Sequence, residues 1–496
     1  MSKQFKVPCF SNVQLIKAYH KLLGEKRIKR QKNLEKILRK RPIRTLSGVA
    51  VVSVLTKPYP CPGKCVFCPT EKGLPKSYLK GEPAAERALK LKFNPYWQVK
   101  KRIESLEKQG HPTDKIELRI IGATFSVYPK NYKIWFFANL FSAANKRKEI
   151  NKTDIEVLEK EKKINEKTKN RIVGISIETR PDFINGEEVL LMRSLGITMV
   201  ELGVQSVSEK ILKKSSRGHG LKEIISATKL LKDAGFKIMY QMMPNLPGSD
   251  LEQDFLDFKE IINNENYRPD WLKIYPCLVC KGSKLYEIWK KGNYKSYSDK
   301  NLIKLLIKVK TALPYWIRLA RLFRDIPAQK IEAGSKVSNL REVIQREMKK
   351  RNLNCNCIRC REIKENFDPN EKILLFREDY LASKGKEVFL SFENKKRTKI
   401  FAFLRLRLDK DNFIPVLNNS SVIRELHTYG QQTPLEENSL AIQHKGLGKK
   451  LIKEAEKITK KEFNLSKISV ISGIGVREYY KKLGYKLDSE YMIKKL

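Results

Sequence analysis

The chain has 496 residues, 41% of them hydrophobic, which exceeds what one compact core holds and calls for two or three domains. Its 101 Lys and Arg against 55 Asp and Glu leave a net charge of +46, and a surface that basic implies a polyanionic partner, nucleic acid ahead of anionic membrane. No stretch approaches the ~18 apolar residues that span a bilayer, and the start, Met1-Ser2-Lys3-Gln4, lacks an apolar leader core, so a cytoplasmic protein without a membrane span is expected.

Segment 1–44 carries fourteen Lys and Arg and only two acids, Glu25 and Glu35. Residues 11–41 are helix-prone, with Leu15, Ile16, Leu22, Leu23, Leu34, Ile37 and Leu38 as apolar positions. They read either as a basic arm against RNA phosphates or as a helix pair that docks on the core or dimerises. From 45 to 314, β-rich runs alternate with helical patterns. Strands are predicted at Val49–Leu55, Ile116–Ile121, Ile172–Ile177, Met199–Val204, Phe236–Met242 and Leu272–Tyr275. Helices are predicted at Trp97–Gln109, Gly186–Leu195, Lys222–Ala234 and Glu252–Asn263. This alternation predicts an α/β fold with a parallel sheet, an open or partial barrel whose active site lies at the C-terminal strand ends. The run Lys160–Lys169 mixes Lys with Glu and reads as a solvated helix face. Segment 315–372 reads as a connector. Segment 373–496 is a further α/β unit, with strands near Glu387–Phe392, Ile400–Leu408, Val422–Tyr429 and Ile468–Ile471 and a helix near Gly448–Phe463.

Six of the nine cysteines fall in two clusters, which in an intracellular chain read as metal ligands rather than disulfides. Cys61, Cys65 and Cys68 form C-x3-C-x2-C just after a strand, with Phe67 before the last thiol. Three thiolates on one loop fit three corners of a 4Fe–4S cube and leave the fourth iron open for S-adenosylmethionine, whose reductive cleavage gives a 5′-deoxyadenosyl radical. A zinc loop would call for a fourth protein ligand nearby, and the next cysteine is Cys277. Gly122-Ala123-Thr124-Phe125, Glu178-Thr179-Arg180-Pro181-Asp182, Gly203-Val204-Gln205-Ser206 and Arg217-Gly218-His219 put polar groups at or after successive strand ends, where a barrel opens.

Cys355, Cys357 and Cys360 form C-x-C-x2-C in a basic stretch, favouring structural zinc over a second redox site, with Cys277 or Cys280 as candidate fourth ligands. In the C-terminal unit, Gln443-His444-Lys445-Gly446-Leu447-Gly448 forms a Q-x-x-G-x-G turn into a helix, where free N–H groups suit a pyrophosphate. Downstream, Tyr479-Tyr480 offers a hydroxyl able to protonate a departing thiolate, against the commoner fate of packing.

The order of motifs resembles the catalytic subunit of Elongator, the tRNA wobble-uridine acetyltransferase family. Carrying segments include Arg44-Thr45-Leu46-Ser47-Gly48, Glu82-Pro83-Ala84-Ala85, Gly110-His111-Pro112-Thr113-Asp114-Lys115, Met242-Met243-Pro244-Asn245-Leu246-Pro247, Arg424-Glu425-Leu426-His427 and Val470-Ile471-Ser472-Gly473. The resemblance runs from about Lys6 to the C-terminus. It implies a partial (β/α) radical-SAM barrel joined through a zinc-binding connector to a GNAT-like acetyltransferase domain. It implies that the arm and barrel bind the tRNA anticodon stem-loop, and that acetyl-CoA is hydrolysed or activated there. An acetyl-derived radical is then added at C5 of uridine 34, giving 5-carboxymethyluridine. By residue match, Cys61, Cys65 and Cys68 hold the cluster, while Lys115, Glu425, Leu426, His427, Thr428, Leu447, Gly448, Lys449 and Tyr480 fall on the acetyl-CoA site. Lys115 and Tyr480 are the residues expected to act in catalysis. A second copy of the chain or companion Elongator-like subunits are further partners to expect. A protein lysine acetyltransferase and a non-catalytic tRNA-binding scaffold are the competing readings.

Overall fold

The computed structural model describes residues 10–29, 31–39, 45, 48–363, 368, 370–408, 412–430 and 446–496. Gln443 lies outside these residues. Strands β1 Ala50–Leu55, β2 Lys115–Ile121, β3 Arg171–Thr179, β4 Met199–Gln205, β5 Lys237–Met242, β6 Trp271–Ile274 and, past the two-residue β7 Val279–Cys280, β8 Arg318–Arg321 are placed in chain order. All but β7 lie side by side as one parallel sheet. β7 pairs instead with β9 Ile331–Ala333. The seventh strand of the sheet therefore lies within the segment read as connector.

Alternation in these strands sorts two chemistries onto two faces. Val52, Val54, Ile116, Leu118, Ile120, Ile177, Val200, Leu202, Ile238, Tyr240 and Leu272 are buried in the main core, against the helices that return the chain between strands. A helix that the pattern did not announce, Lys130–Ala144, buries Phe136, Phe137, Leu140 and Phe141; with apolar residues around most of its circumference, it has no amphipathic stripe to read. The opposite parity carries Glu117, Arg119, Ser176, Glu178, Glu201, Gln241 and Lys273, which line the concave side.

The C-terminal sheet comprises β10 Ile373–Ala382, β11 Gly385–Asn394, β12 Ile400–Leu408, β13 Ser421–Thr428, β14 Lys467–Val470, β15 Lys486–Asp488 and β16 Tyr491–Lys495. Its strand order is β10-β11-β12-β13-β14-β16-β15. β10 to β13 are antiparallel, and only β13 and β14 run parallel, through three residue pairs ending at Ile423 and Val470. Beyond that point, among the described residues, Arg424–Thr428 keep one backbone edge without a strand partner. The helix Leu447–Lys461 packs Leu451, Ile452, Ala455 and Ile458 on this sheet.

Buried charge joins the two sheets. Arg424 donates to Asp270, in the turn before β6, at 2.5 and 2.9 Å and to Glu387 at 3.0 Å; Arg407 reaches Asp233 at 2.5 Å; Arg405 pairs with Glu425 at 2.9 Å. Burial pushes the Asp270 carboxyl up, but Arg424, Lys232 and Arg405 overcome it and hold the group well below the ordinary carboxylate range. Gly473 sits where a Cβ would collide with the Val173 carbonyl, so the domains touch backbone to backbone. The segment read as a solvated helix face is part of this seam. Lys162 is buried and bonds Glu490 at 2.8 Å, because the C-terminal domain covers that side of the helix Ile155–Asn165, while Glu161 is buried toward Asn145 and Arg147.

At the other end, the helix Asn12–Gly24 is capped by Ser11 and buries Ile16 and Tyr19. Arg39 donates to the Gly110 carbonyl at 2.9 Å. The pair thus docks on the barrel, while Lys17, Lys21, Lys26, Arg27 and Lys29 remain exposed.

Asp270→Asn leaves Arg424, Arg405 and Lys232 short of a buried counter-charge, and denaturant titration is expected to show a loss of about 3–5 kcal/mol. Because the folded carboxyl titrates below its ordinary value, its contribution is complete above about pH 4 and fades as pH falls.

Candidate active site

Cys61, Cys65 and Cys68 stand on the loop after β1, facing a cavity of about 370 Å³ at the C-terminal ends of the parallel strands. The loop is tied down by Val66 N–H to the Ser215 carbonyl at 3.1 Å and Leu285 N–H to the Val66 carbonyl at 2.8 Å. Arg217 reaches Cys65 Sγ at 3.3 Å and Arg180 reaches it at 3.9 Å. Arg180 is itself held by Asp182 through two bonds of 2.9 and 2.7 Å. A Cβ at Gly63 would collide with the Arg180 guanidinium, so only glycine leaves it room. The neighbouring Cys68 thiol and then Arg217 outweigh burial and bring Cys65 down to about 5, the charge state a metal ligand needs.

The geometry of the thiols separates two kinds of metal. One tetrahedral zinc at 2.3 Å from each sulfur draws its thiolates to about 3.8 Å of one another. Among the described residues, the group drawn within 4.8 Å is Cys355, Cys357 and Cys360; on the first loop Cys65 and Cys68 stand within hydrogen-bond reach of each other, and the three thiols together are not gathered that closely. Three thiolates on one loop suit three corners of a cluster.

Of the residues lining the cavity, Gln205 Oε1 and Arg217 Nε are buried without a hydrogen-bond partner. Each such atom costs about 1–3 kcal/mol unless a ligand satisfies it, so the site fits a small polar occupant beside the thiols. Burial and then Arg217 lower His219 to about 4, leaving it neutral. Ala123, Gln205 and Asn245 hold left-handed backbone at φ 72, 75 and 67°, strain placed at the tops of β2, β4 and β5. Thr124, Arg180, Gln205 and Arg217, from the strand-end motifs, all line the same cavity. Tyr78, Glu178, Gln241, Lys273 and Arg324 also line it. Tyr78 donates to Glu178 at 2.7 Å, and Gln241 to Glu178 and Glu201 at 3.2 Å. Of these only Glu178 carried a motif in the sequence; for Gln241 and Lys273 the signal was a polar residue at every second strand position, whereas Tyr78 and Arg324 lie on loops, where no periodicity marks them.

Cys355, Cys357 and Cys360 lie beside Lys310, whose ammonium is 3.2 Å from Cys360 Sγ. Three gathered thiols fit zinc. Cys277 and Cys280 do not complete them: Cys277 packs with Cys65 and Phe67, and Cys280 lines the first cavity, because β7 carries both to the barrel mouth.

In the C-terminal domain, a Cβ on Gly448 would lie 3.4 Å from Tyr479 Oη, 3.6 Å from Thr428 Oγ1 and 4.0 Å from Leu426 Cδ2. The structure thus brings Leu426, Thr428, the helix start Leu447-Gly448-Lys449 and the tyrosine pair together at the opening between β13 and β14. Gly446 caps the helix with left-handed backbone at φ 66°. Tyr480 is 6% exposed and packs edge-on against Tyr479 and Tyr485; burial raises its hydroxyl, so it stays protonated. Glu425 faces the barrel instead, bonded to Arg405 and within 3.4 Å of Trp271 Nε1, which makes it a seam residue. His427 stacks on Phe403 and Tyr429 and is lowered to about 4 by burial and Arg318. Lys115 opens β2 opposite Arg171, which lies against Gly475; burial lowers its ammonium, opposed by Asp114.

Residues 59–258 match the model of the Radical SAM superfamily, and residues 269–350 that of the Radical_SAM C-terminal domain. A tRNA uridine(34) acetyltransferase of Methanocaldococcus jannaschii is 48% identical over 94% of this chain and 88% of its own. Elongator complex protein 3 of Schizosaccharomyces pombe is 39% identical over 94% and 88%. The solved structure of Elp3 from Methanocaldococcus infernus, lacking residues 1–46, is similar with a TM-score of 0.80 and 45% identity, covering 91% of this chain and all of that one. Identity of this extent through barrel, connector and C-terminal sheet alike places the chain in the radical SAM family of the tRNA uridine(34) acetyltransferases and Elongator complex protein 3.

Proposed function

We propose that this protein modifies C5 of the wobble uridine, position 34, of tRNA to 5-carboxymethyluridine, using S-adenosylmethionine and acetyl-CoA. The observation that carries the reading is the union, in one rigid seam, of a thiol-lined barrel cavity with a cleft suited to a CoA thioester. When bound on Cys61, Cys65 and Cys68, a 4Fe–4S cluster supplies reductive cleavage of the sulfonium and hence a carbon radical. The chain's own part is to orient and to exclude water. Arg217 and Arg180 offset thiolate charge, and Gln205 presents a neutral polar atom to the cofactor's amino-acid end.

At the C-terminal domain, the free backbone edge of Glu425–Thr428 suits an extended pantetheine arm, paired as an added strand. The N–H groups of Leu447, Gly448 and Lys449 suit the pyrophosphate, with Gly446, Gln443 and Lys115 as further contacts. A protonated Tyr480, with Tyr479 beside it, donates to the departing thiolate. The exposed cations of the 1–44 arm face the anticodon stem-loop phosphates, and an unstacked loop base is the form in which uridine reaches the cavity. Zinc on Cys355, Cys357 and Cys360 braces segment 315–372 between the barrel (45–314, with β8 added) and the GNAT-like domain (373–496). A lysine acetyltransferase acting through the C-terminal domain alone leaves the cavity without a role.

Cys65→Ser is expected to remove the iron–sulfur absorbance and the modified nucleoside, while tRNA affinity stays within about two-fold, since phosphate contacts carry it and weaken it as salt rises. Persistence of the nucleoside in that variant would contradict the reading. Tyr480→Phe is expected to slow tRNA-dependent CoA release by about 10²–10⁴-fold, measured by thiol titration.

A further inference from the structure

The barrel interior connects the two sites. Such interiors are ordinarily packed with branched apolar side chains, whereas here the cavity below the thiols descends along Lys273 to Arg119. Arg119 pairs with Glu117 at 2.8 Å, and the two keep 25% and 28% of their side-chain surface exposed although protein surrounds them. That surface therefore faces an internal space. Glu117 in turn lies close enough to Lys237 and His427 for both to stabilise its charge, and Lys237 is 3.9 Å from Glu425. Polar groups thus stand in succession from the thiol loop, through Lys273, Arg119 and Glu117, toward Lys237 and the barrel-facing side of β13 at Glu425 and His427. Residues 117 to 121 alone span about 13 Å, at about 3.3 Å per residue.

On the strand beside Glu117, a register shift in β3 turns Gly174 inward. A Cβ there would meet Thr198 Oγ1 at 3.6 Å and Glu117 Cγ at 4.0 Å, ordinary contacts that leave room for more.

Resting on the function proposed above, we propose that this column is a passage that carries acetate, freed at the C-terminal domain, through the barrel to the thiol-lined cavity. Water adds to the thioester carbonyl and the C–S bond breaks. The thiolate takes the Tyr480 proton, and acetyl-CoA plus water gives CoA thiol, acetate and one proton released to solvent once Tyr480 is reprotonated. Acetate then meets Lys237, Arg119 and Lys273 in turn. Arg119 can exchange the Glu117 carboxylate for that of acetate, one fork-shaped pairing for another, so the ion pair acts as the gate.

Gly174→Leu plugs the passage without touching either end, and Gly174→Ala is the control. In as-purified wild type and the alanine variant, ¹³C-acetate is expected to show line broadening from bound carboxylate; in the leucine variant the broadening is lost. With tRNA, acetyl-CoA and S-adenosylmethionine, the leucine variant is expected to release CoA within about two-fold of wild type yet to form more than about ten-fold less carboxymethyluridine. Where the leucine variant does not fold, Gly174→Val reads the same split. Wild-type product formation by the plugged variant, or unchanged broadening, would overturn the passage alone. Wild-type protein that releases CoA and 5′-deoxyadenosine but forms no carboxymethyluridine would overturn the proposed function and the passage with it.

Discussion

The buried ion network at the base of the barrel is the constraint from which the rest follows. Asp270 and Glu387 are shared among Arg424, Arg407, Arg405 and Lys232, all almost wholly removed from water. Charges so placed tolerate no partial separation, since each would be left desolvated and unpaired. The two domains therefore cannot rock against one another by small steps. The proposed thioester and radical sites, held in one body, would then communicate through the interior or through the RNA rather than by domain closure.

The same requirement explains the character of the barrel. Its outer face follows the rule for parallel sheets, aliphatic and covered by helices. Its concave face is a ladder of acids and bases paired across strands, such as Lys273 between Glu178 and Glu201. Fully paired, such a ladder holds fixed dipoles and charges around the cavity, and it leaves space that aliphatic side chains would fill.

Much of this was legible in the sequence. The aliphatic alternation located six barrel strands to within two residues, and the C-x3-C-x2-C loop and the Gly446-Leu447-Gly448 turn lie at the barrel cavity and at the cleft beside β13. What escaped notice did so for physical reasons. β8, Arg-Leu-Ala-Arg at 318–321, is too short and basic to resemble a strand apart from its neighbour β6. β10 turns Leu375 and Leu381 to solvent and buries Tyr380 and Ala382 on its other face, so its leucines do not mark the side that is covered. Lys162 looks solvated because sequence alone does not reveal the domain that covers it. Glu425 fell inside a stretch matched to acetyl-CoA, yet its side chain turns toward Arg405 and Trp271, since an irregularity in the pairing with β12 brings both Arg424 and Glu425 to the seam.

The central claim is that one chain joins an acetyl-derived carbon unit to uridine 34 through radical chemistry at Cys61, Cys65 and Cys68. The most direct test is mass spectrometry of nucleosides from tRNA incubated anaerobically with the iron-loaded protein, S-adenosylmethionine and acetyl-CoA labelled with ¹³C in both acetyl carbons. The account predicts 5-carboxymethyluridine bearing both labelled carbons. Unchanged uridine, with the label found on protein lysines instead, would contradict it.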